Sequence, residues 1–465
     1  MDIFAIVLAA GRGTRMKSLL ADKSKVSFEI LGVPLVQHVL NSLMPLKIAT
    51  TVVVVGFGGE TTTKIVENQS MVVWQKEQKG TGHAVMQASS ILEKKEGCTI
   101  VLCGDTPLLK TSTLEKFIKN HIESKNSLTI MSAKVPNPHG YGRIVRKNDG
   151  SVQKICEQAD ASKEIDAIDE VNTGVCAFDN VLLFNYLAKL KPNNAQGEYY
   201  LTDLIKMFVD DNLRVGVSLM DDYHEMLGIN DRKQLAEALS IMKREINNRL
   251  MLSGITIVDP ENTYVGPYVR IGQDSLLMPG CYIVGNTSIG CFNEIGPNTF
   301  LNNMEIGDNN KIICSHLIDS KIGNENVVGP YARMRGHVDI KNRVKAGNFV
   351  ELKGVIVHDD AKMAHLSYLG DAEIGERTNI GCGTIIANYD GVNKLKSKIG
   401  NDVFVGSGTT IISPVVIEDA AFIAAGSTIN RDVKKNDMAI ARARQENKPG
   451  YAKILRQKAI EKSKK

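Results

Sequence analysis

The chain has 465 residues, is 43% hydrophobic and 23% charged, and carries a formal net charge of +4. That length suggests two or three domains with ample core, and so small a charge gives no reason to expect nucleic acid as a partner. Eight cysteines with no CxxC pair and no tight cluster fit reduced thiols in a cytoplasmic protein better than a disulfide framework or a zinc site. No apolar run approaches membrane-spanning length, so no membrane is expected.

The apolar start at residues 3–10 lacks a basic n-region and follows Asp2, so it reads as a buried strand rather than a signal peptide. Up to about residue 230, short β-like runs at 3–8, 51–55, 99–103, 128–133, 175–178 and 215–219 alternate with helical apolar spacing at 35–44, 82–92, 112–124 and 201–211. The alternation predicts a mostly parallel sheet covered on both faces. Ligands in such sheets bind beyond the carboxyl ends of the strands.

After the first strand comes LAAGRGTRM, residues 8–16. Gly11 and Gly13 let backbone N–H groups face one concavity suited to phosphate oxygens, with Arg12, Arg15, Lys17 and Lys25 beside it. The loop is neither a Walker sequence nor GxGxxG, which argues against a P-loop NTPase or a dinucleotide fold; an ordinary glycine-rich turn is the alternative. In CGDTPL, Cys103 and Gly104 lead to Asp105, a strand-end carboxylate well placed for Mg²⁺, though Asp-Thr-Pro is also a common turn. Gln75, Gly80 and Thr81 lie in QKEQKGTGHA, and Gly82 opens the next helix. Tyr141, Gly142 and Arg143, then Glu157, then Asn172, Thr173 and Gly174 complete the polar groups at strand ends. Singly, each is more often a turn or cap residue; six such loops on one sheet edge point to a site.

From 231 to 250, Leu235, Leu239, Met242, Ile246 and Leu250 recur at steps of three and four, with Lys233, Glu237, Lys243, Arg244 and Glu245 between them. This predicts one amphipathic helix, stopped near Ser253 and Gly254. Its early turns fit equally well as a last helix packed on the first domain. The chain thus divides into residues 1–230, a connecting helix over 231–254, and 255–465.

The last part keeps a six-residue ruler: Val265, Ile271, Leu277, Ile283, Ile289, Ile295 and Leu301, then Ile322, Val328, Met334 and Ile340, then Ile374, Ile380 and Ile386, then Ile399, Val405, Ile411, Ile417, Ile423 and Ile429. Six is a multiple of two but not of 3.6, so these residues share one face of an extended chain. A hexapeptide period marks a parallel β-helix rather than a β-sandwich. Roughly ten coils at about 4.8 Å each would stack over about 50 Å. A small residue often follows the aliphatic one, as at Gly272, Gly290, Gly375 and Gly406, and suits a corner by tolerating positive φ and close backbone approach. Two stretches interrupt the ruler: LKGVIVHDDAKMAHLSYLGDAEIG, with Lys353, His365 and Tyr368, and ANYDGVNKLKSK, residues 387–398. Loops on a rigid repeat tend to carry function. His365 is either a proton acceptor suited to neutral pH or a core histidine. The basic end, Lys462, Lys464 and Lys465, reads as a solvated terminus.

LAAGRGTRM, Lys25, QKGTGHA, CGDTPL, GYGRI, NTG and NNAQGEYYLTD resemble the sugar-1-phosphate nucleotidyltransferase family. Joined to a hexapeptide half, they resemble the bacterial bifunctional N-acetylglucosamine-1-phosphate uridyltransferase/glucosamine-1-phosphate acetyltransferases over essentially the whole chain. The resemblance implies a Rossmann-like nucleotidyltransferase domain, a linker helix and a left-handed β-helix. It implies that Leu8, Ala9, Ala10, Gly11, Gln75, Gly80 and Thr81 hold the uracil and ribose of UTP, with Cys103 and Gly104 also in the UTP and UDP-sugar site. Arg15 and Lys25 would bind its phosphates, and Asp105 and Asn230 would carry Mg²⁺. Gly142, Glu157 and Asn172 would bind the N-acetylglucosamine moiety.

For acetyl transfer the resemblance implies His365 as general base, with Glu351 orienting it. Arg335, Lys353, Tyr368, Asn379 and Lys394 would bind glucosamine-1-phosphate, while Cys382, Asn388, Tyr389, Ser407, Ala425 and Arg442 would line the acetyl-CoA site of a homotrimer. Ser24, Gly336 and Cys382 depart from the family's usual proline, proline and alanine. The first would loosen Lys25, and the third would put a reactive thiol beside the thioester. Two alternatives remain: a nucleotidyltransferase with a purely regulatory β-helix, disfavoured by His365, Lys353, Tyr368 and the NYDG loop, and a non-catalytic assembly subunit, disfavoured by Arg15, Lys25 and Asp105.

Overall fold

Nine strands build the sheet of the first unit: β1 (Ile3–Ala9), β2 (Thr50–Val55), β3 (Met71–Trp74), β4 (Cys98–Cys103), β5 (Leu128–Lys134), β6 (Arg143–Arg146), β7 (Val152–Cys156), β8 (Glu170–Asp179) and β9 (Val215–Leu219). The spatial order is β9-β5-β8-β4-β1-β2-β3, with the β6–β7 hairpin attached to β8. The computed structural model describes residues 1–20, 23–192 and 196–463. Asn193, Asn194 and Ala195 of the NNAQGEYYLTD motif, with Lys464 and Lys465, lie outside them. The described chain forms two compact units, Met1–Glu245 and Ile246–Lys465.

Along β9-β5-β8-β4-β1-β2-β3 the strands are parallel except β8, which runs antiparallel to β4 and β5, and the β6–β7 hairpin beside β8 is antiparallel as well. The early residues of β8 therefore lie on the same edge as the carboxyl ends of the parallel strands. The strand expected at 175–178 begins at Glu170 instead, so Asn172, Thr173 and Gly174 sit inside it, where the register shifts between Asn172 and Cys176. β3, β6 and β7 carry too weak a signal to foresee: β3 has four residues, and β6 and β7 mix charges into RIVR and VQKIC. The helix expected over 82–92 is broken into Thr81–Met86 and Ser89–Leu92, because Gln87 and Ala88 bond three residues back rather than four.

Period-two alternation puts core on both faces of the sheet. Phe4 and Ile6 of β1 pack with Val52, Val54 and Val101 on one side, while Ala5, Val7 and Ala9 pack with Val53, Val55 and Leu102 on the other. The expected connector is one helix, Arg232–Leu252.

In the second unit the short strands pair in parallel with strands 18 residues on: Val265 with Ile283, Ile271 with Ile289, Leu277 with Ile295, Val405 with Ile423. Three hexads therefore close one coil, and each aliphatic residue lands on its counterpart a coil away. Leu277, Ile283, Ile295, Leu301, Val405, Ile411 and Ile417 are fully buried. Some coils take 17 residues, as where Asn348 pairs with His365. That one-residue loss upsets the ruler, so the first expected interruption is no interruption. Lys345–Val357 and Lys362–Ile374 are two 13-residue strands lying rung on rung, with Val350, Leu352, Val355 and Val357 inside. The second interruption is a true excursion: across it the register jumps to 25, as Ile380 meets Val405 and Ile386 meets Ile411.

Gly272, Gly290, Gly375 and Gly406 serve close approach rather than positive φ, which at this position is taken by Gly296 and Gly329. A Cβ on Gly406 would stand 2.4 Å from the Ala425 nitrogen, and one on Gly375 2.3 Å from the Gly400 carbonyl carbon. The left-handed residue falls two positions later, at Asp274, Asn309, Arg377 and Asp402. Inside the column a buried amide ladder runs from Asn326 through Asn310 to Asn293, each Nδ2 donating to the next Oδ1 at 3.0 Å. Lys462 belongs to an exposed helix, Tyr451–Ser463, rather than a frayed end. Among the described residues no helix is long and apolar enough to cross a membrane.

Candidate active sites

The carboxyl ends of β1 and β4 and the loop after β3 enclose a cleft of about 280 Å³. Its wall contains Leu8, Ala9, Ala10, Gly11, Lys25, Gln75, Gly80, Thr81, Cys103 and Asp105, all expected from the sequence, and also Gln78 and Glu198, which were not. Gly104 stands just behind the wall, its N–H donating to the Leu8 carbonyl at 2.9 Å. Gln75 is buried, its Nε2 donating to the Gly80 carbonyl at 3.0 Å. Gly80 must be glycine: φ is +103° and a Cβ would lie 2.6 Å from the Tyr199 carbonyl oxygen. Burial pushes the Cys103 thiol up to about 12, so it stays protonated and is no nucleophile.

Lys25 opens a short 3₁₀ turn, Lys25–Ser27. Gly13, at φ +59°, makes room for it, since a Cβ there would stand 2.6 Å from Lys25 Cβ. The ammonium pairs with Asp105 and donates to Asn230 Oδ1 at 3.0 Å. The two residues expected to carry a metal thus aim their oxygens at one cationic point. Their loops are tied together, the Ile229 N–H donating to the Asp105 carbonyl at 3.0 Å. A carboxylate and an amide oxygen converging in this way fit a hard divalent cation. Among the described residues no cluster of three or more His, Cys, Asp or Glu could hold a metal ion, so a cation at this point would complete its shell with ligand oxygens and water.

Ser24 does not leave Lys25 loose. It is fully buried, its φ of −68° is the value proline would impose, and its hydroxyl pairs with Thr62 Oγ1 at 2.7 Å. Arg15 is exposed on the turn Thr14–Met16. It lines neither the cleft nor the neighbouring 240 Å³ hollow that Arg12, Lys23 and Lys25 share.

Gly142, Glu157 and Asn172 come together beside this cleft. The Asn172 N–H donates to the Gly142 carbonyl at 2.8 Å, and Glu157 packs against Gly142 while accepting from Thr202 Oγ1 at 2.9 Å. Asn172 Oδ1 holds the Gly174 N–H at 3.0 Å, and Gly174 lies against Cys103. Burial raises the Glu157 carboxyl above its usual range, more than the Thr202 hydrogen bond lowers it. Arg143 is structural: its buried guanidinium bonds Asp166 at 2.8 Å and Gln158 at 3.1 Å.

In the second unit, one corner of the β-helix collects a row of expected residues. Asn348 pairs with His365, and the same register carries His365 over Cys382, Cys382 over Ser407 and Ser407 over Ala425. Backbone bonds mark the rungs: Gly383 N–H to Leu366 O at 2.8 Å, Gly408 N–H to Cys382 O at 2.7 Å, Gly426 N–H to Ser407 O at 2.8 Å. Arg442 closes the row, donating to the Ala425 carbonyl at 2.9 Å. The imidazole is exposed, outside the aliphatic column, and so is the free thiol of Cys382.

The polar set lies on the adjoining side. Arg335 pairs with Glu351 at 2.9 Å and Lys353 with Asp371 at 3.2 Å. Asp371, which the sequence reading missed, also accepts from Asn388 Nδ2 at 2.5 Å. A Cβ on Gly370 would stand 2.6 Å from both the Tyr368 hydroxyl and Asn388 Nδ2, so these two groups close over it. Asn388 thus joins the lysine cluster rather than the corner row. Lys394 lies 3.9 Å over the Tyr389 ring in the excursion. Asn379 is not brought to this set; it pairs with Lys362 and Phe404 on another side of the coil. Glu351 does not orient His365, being occupied by Arg335; the imidazole Nδ1 meets Asn348 Oδ1 at 2.8 Å. Gly336 has φ +68°, which proline cannot adopt, so its replacement goes with a different local backbone.

Residues 4–225 match the nucleotidyl transferase family and residues 396–431 the six-repeat bacterial transferase hexapeptide family. The chain is 46% identical over 452 residues to bifunctional protein GlmU of Listeria welshimeri, covering 97% of this chain and 98% of that one. It is 45% identical over 449 residues to GlmU of Staphylococcus haemolyticus, covering 97% and 99%. The chain belongs to the GlmU family. It is a bifunctional transferase, combining a uridyltransferase with an acetyltransferase. The parallel hexapeptide coils are those of a left-handed β-helix.

Proposed function

We propose that residues 255–465 acetylate glucosamine-1-phosphate from acetyl-CoA and that residues 1–230, joined through the helix at 231–254, then couple the product to UTP, giving UDP-N-acetylglucosamine and pyrophosphate. The observation that carries the first site is the convergence of Lys25, Asp105 and Asn230 at the mouth of a cleft of nucleotide size. A phosphate oxygen of the sugar attacks the α-phosphorus in line, and the bond to the pyrophosphate oxygen breaks with its electron pair. Both partners are anions, so positioning and charge neutralisation supply the acceleration. Lys25 and Arg15 take the phosphates, while Leu8 to Gly11, Gln75, Gly80 and Thr81 seat the uridine. Gly142, Glu157 and Asn172 seat the sugar. Asp105 and Asn230 would hold Mg²⁺, which when bound spreads the phosphate charge.

At the second site His365 Nε2 takes the proton of the 2-amino group as nitrogen attacks the thioester carbonyl. The N–C bond forms, the C–S bond breaks, and the thiolate of CoA leaves and regains a proton from the imidazolium. Arg335, Lys353, Tyr368 and Lys394 suit the sugar phosphate. The corner row Cys382, Ser407, Ala425 and Arg442, with Tyr389, suits acetyl-CoA. Exposed apolar rungs at Phe404, Phe422 and Met438 favour a homotrimer that brings Asn379 to the site, and the free cysteines fit the cytoplasm.

The test is to supply glucosamine-1-phosphate, acetyl-CoA, UTP and Mg²⁺, omitting each in turn. Thiol release should need only the first two, and pyrophosphate release should need all four. Pyrophosphate formed without acetyl-CoA would mean that the unacetylated sugar is the substrate of the first unit.

A further inference from the structure

Asn348 and His365 occupy equivalent places in successive coils, each just before a left-handed corner residue, Phe349 at φ +57° and Leu366 at φ +35°. The rung between them cannot drift. A Cβ on Gly347 would stand 1.9 Å from the Ala364 carbonyl oxygen, so the two backbones touch one residue upstream. Downstream, Ser367 Oγ donates to the His365 carbonyl at 2.9 Å. The imidazole Nδ1 is left 2.8 Å from Asn348 Oδ1. An amide oxygen only accepts, so Nδ1 must carry the ring proton. In neutral imidazole the other nitrogen then bears the lone pair, and among the described residues Nε2 has no hydrogen-bond partner.

We infer that Asn348 is the positioning residue of the acetyl-transfer base, holding His365 as the Nδ1–H tautomer with Nε2 unprotonated toward the amine. The inference rests on His365 being that base. A carboxylate in the same place would also fix the tautomer, but the one on the same strand, Glu351, is taken by Arg335 at 2.9 Å.

The test uses the full chain in both assays. Asn348→Leu, which fills the space without accepting, should lower kcat for acetyl transfer on the order of tenfold to a hundredfold. KM for both substrates and the uridylyl transfer rate should not change. Asn348→Asp, which can only accept, should retain kcat within a few-fold at alkaline pH. Nitrogen-15 spectra of labelled histidine, with His365→Gln identifying the ring, should give the Nδ1–H form in the native chain and the Nε2–H form in Asn348→Leu. Native kcat in Asn348→Leu, an Asn348→Asp variant as slow as the leucine, or an Nε2–H ring in the native chain would each overturn the inference. The last measurement needs no variant at Asn348 to fold. Undiminished acetyl transfer by His365→Ala would instead remove the base itself, a failure of the underlying reading.

Discussion

The cleft at the sheet edge and the corner of the β-helix, the two places proposed for sugar phosphates, are assembled in opposite ways. The cleft gathers Gly11, Lys25, Gln75, Asp105 and Asn230 from loops that are distant in sequence and near only because strands end together. The corner draws Asn348, His365, Cys382, Ser407 and Ala425 from a single row of the repeat. Cations at the cleft and on the side adjoining the corner are paired with carboxylates: Lys25 with Asp105, Arg335 with Glu351, Lys353 with Asp371. Any anion binding these cations must compete with a carboxylate. A site can therefore be placed by where secondary structure ends or by where it repeats, with the same electrostatics.

The sharpest way to break this comparison is a reciprocal pair. Asp105→Ala should abolish uridylyl transfer and spare acetylation. His365→Ala should lower acetylation by about two to four orders of magnitude and spare uridylyl transfer. Parallel loss of both activities in either variant would mean that the sites are not separate.

Glycines sharpen it next. Gly406→Ala drives a Cβ to 2.4 Å of a neighbouring backbone nitrogen and should destabilise the second unit by about 1–3 kcal/mol, seen as a lower denaturation midpoint. Gly11→Ala meets nothing within 4 Å, so stability should hold and any fall in uridylyl transfer reports contact with substrate. At Ser24, alanine should cost about 1 kcal/mol through the lost bond to Thr62, whereas Ser24→Pro should keep uridylyl transfer within a few-fold, because the backbone already has proline's φ.

The smallest effect concerns pH. Burial raises the Glu157 carboxyl, so the native state holds that proton more tightly than the unfolded chain. Stability is then lost as pH rises from the unfolded value through the raised native one. Glu157→Gln should melt slightly above the native chain at neutral pH, and the gap should close in acid. An unchanged gap across that range would show that the carboxyl titrates normally.

Much of the architecture could be read from side-chain periods alone. Ile399 to Ile429 announce the column because each hexad must bury one aliphatic residue on the same face. The long strands at 345–374 were misread as an interruption because a 17-residue coil shifts the ruler by one. The β6–β7 hairpin escaped notice because RIVR and VQKIC carry no clean alternation. Most of the cleft lining is legible, since Gly11 and Asp105 stand in short glycine-rich or charged loops directly after strand-like runs, Gly80 in another such loop, and Lys25 in the cationic stretch that follows the first. Asp371 and Asn348 are not, because their partners stand a whole coil away and only the register reveals them.

The excursion between Ile386 and Ile399 has one more consequence. The register stretches to 25 residues where it leaves, and the next coils return to 18, with Lys398 over Val416 and Phe404 over Phe422. The coil thus absorbs added chain at a corner without passing a distortion to its neighbours, much as a spiral stair accepts a balcony. Any corner of this kind is a ready point for grafting a new recognition segment, and lengthening or trimming residues 388–396 offers a way to change what the proposed acetyl site admits while the staircase beneath stays as it is.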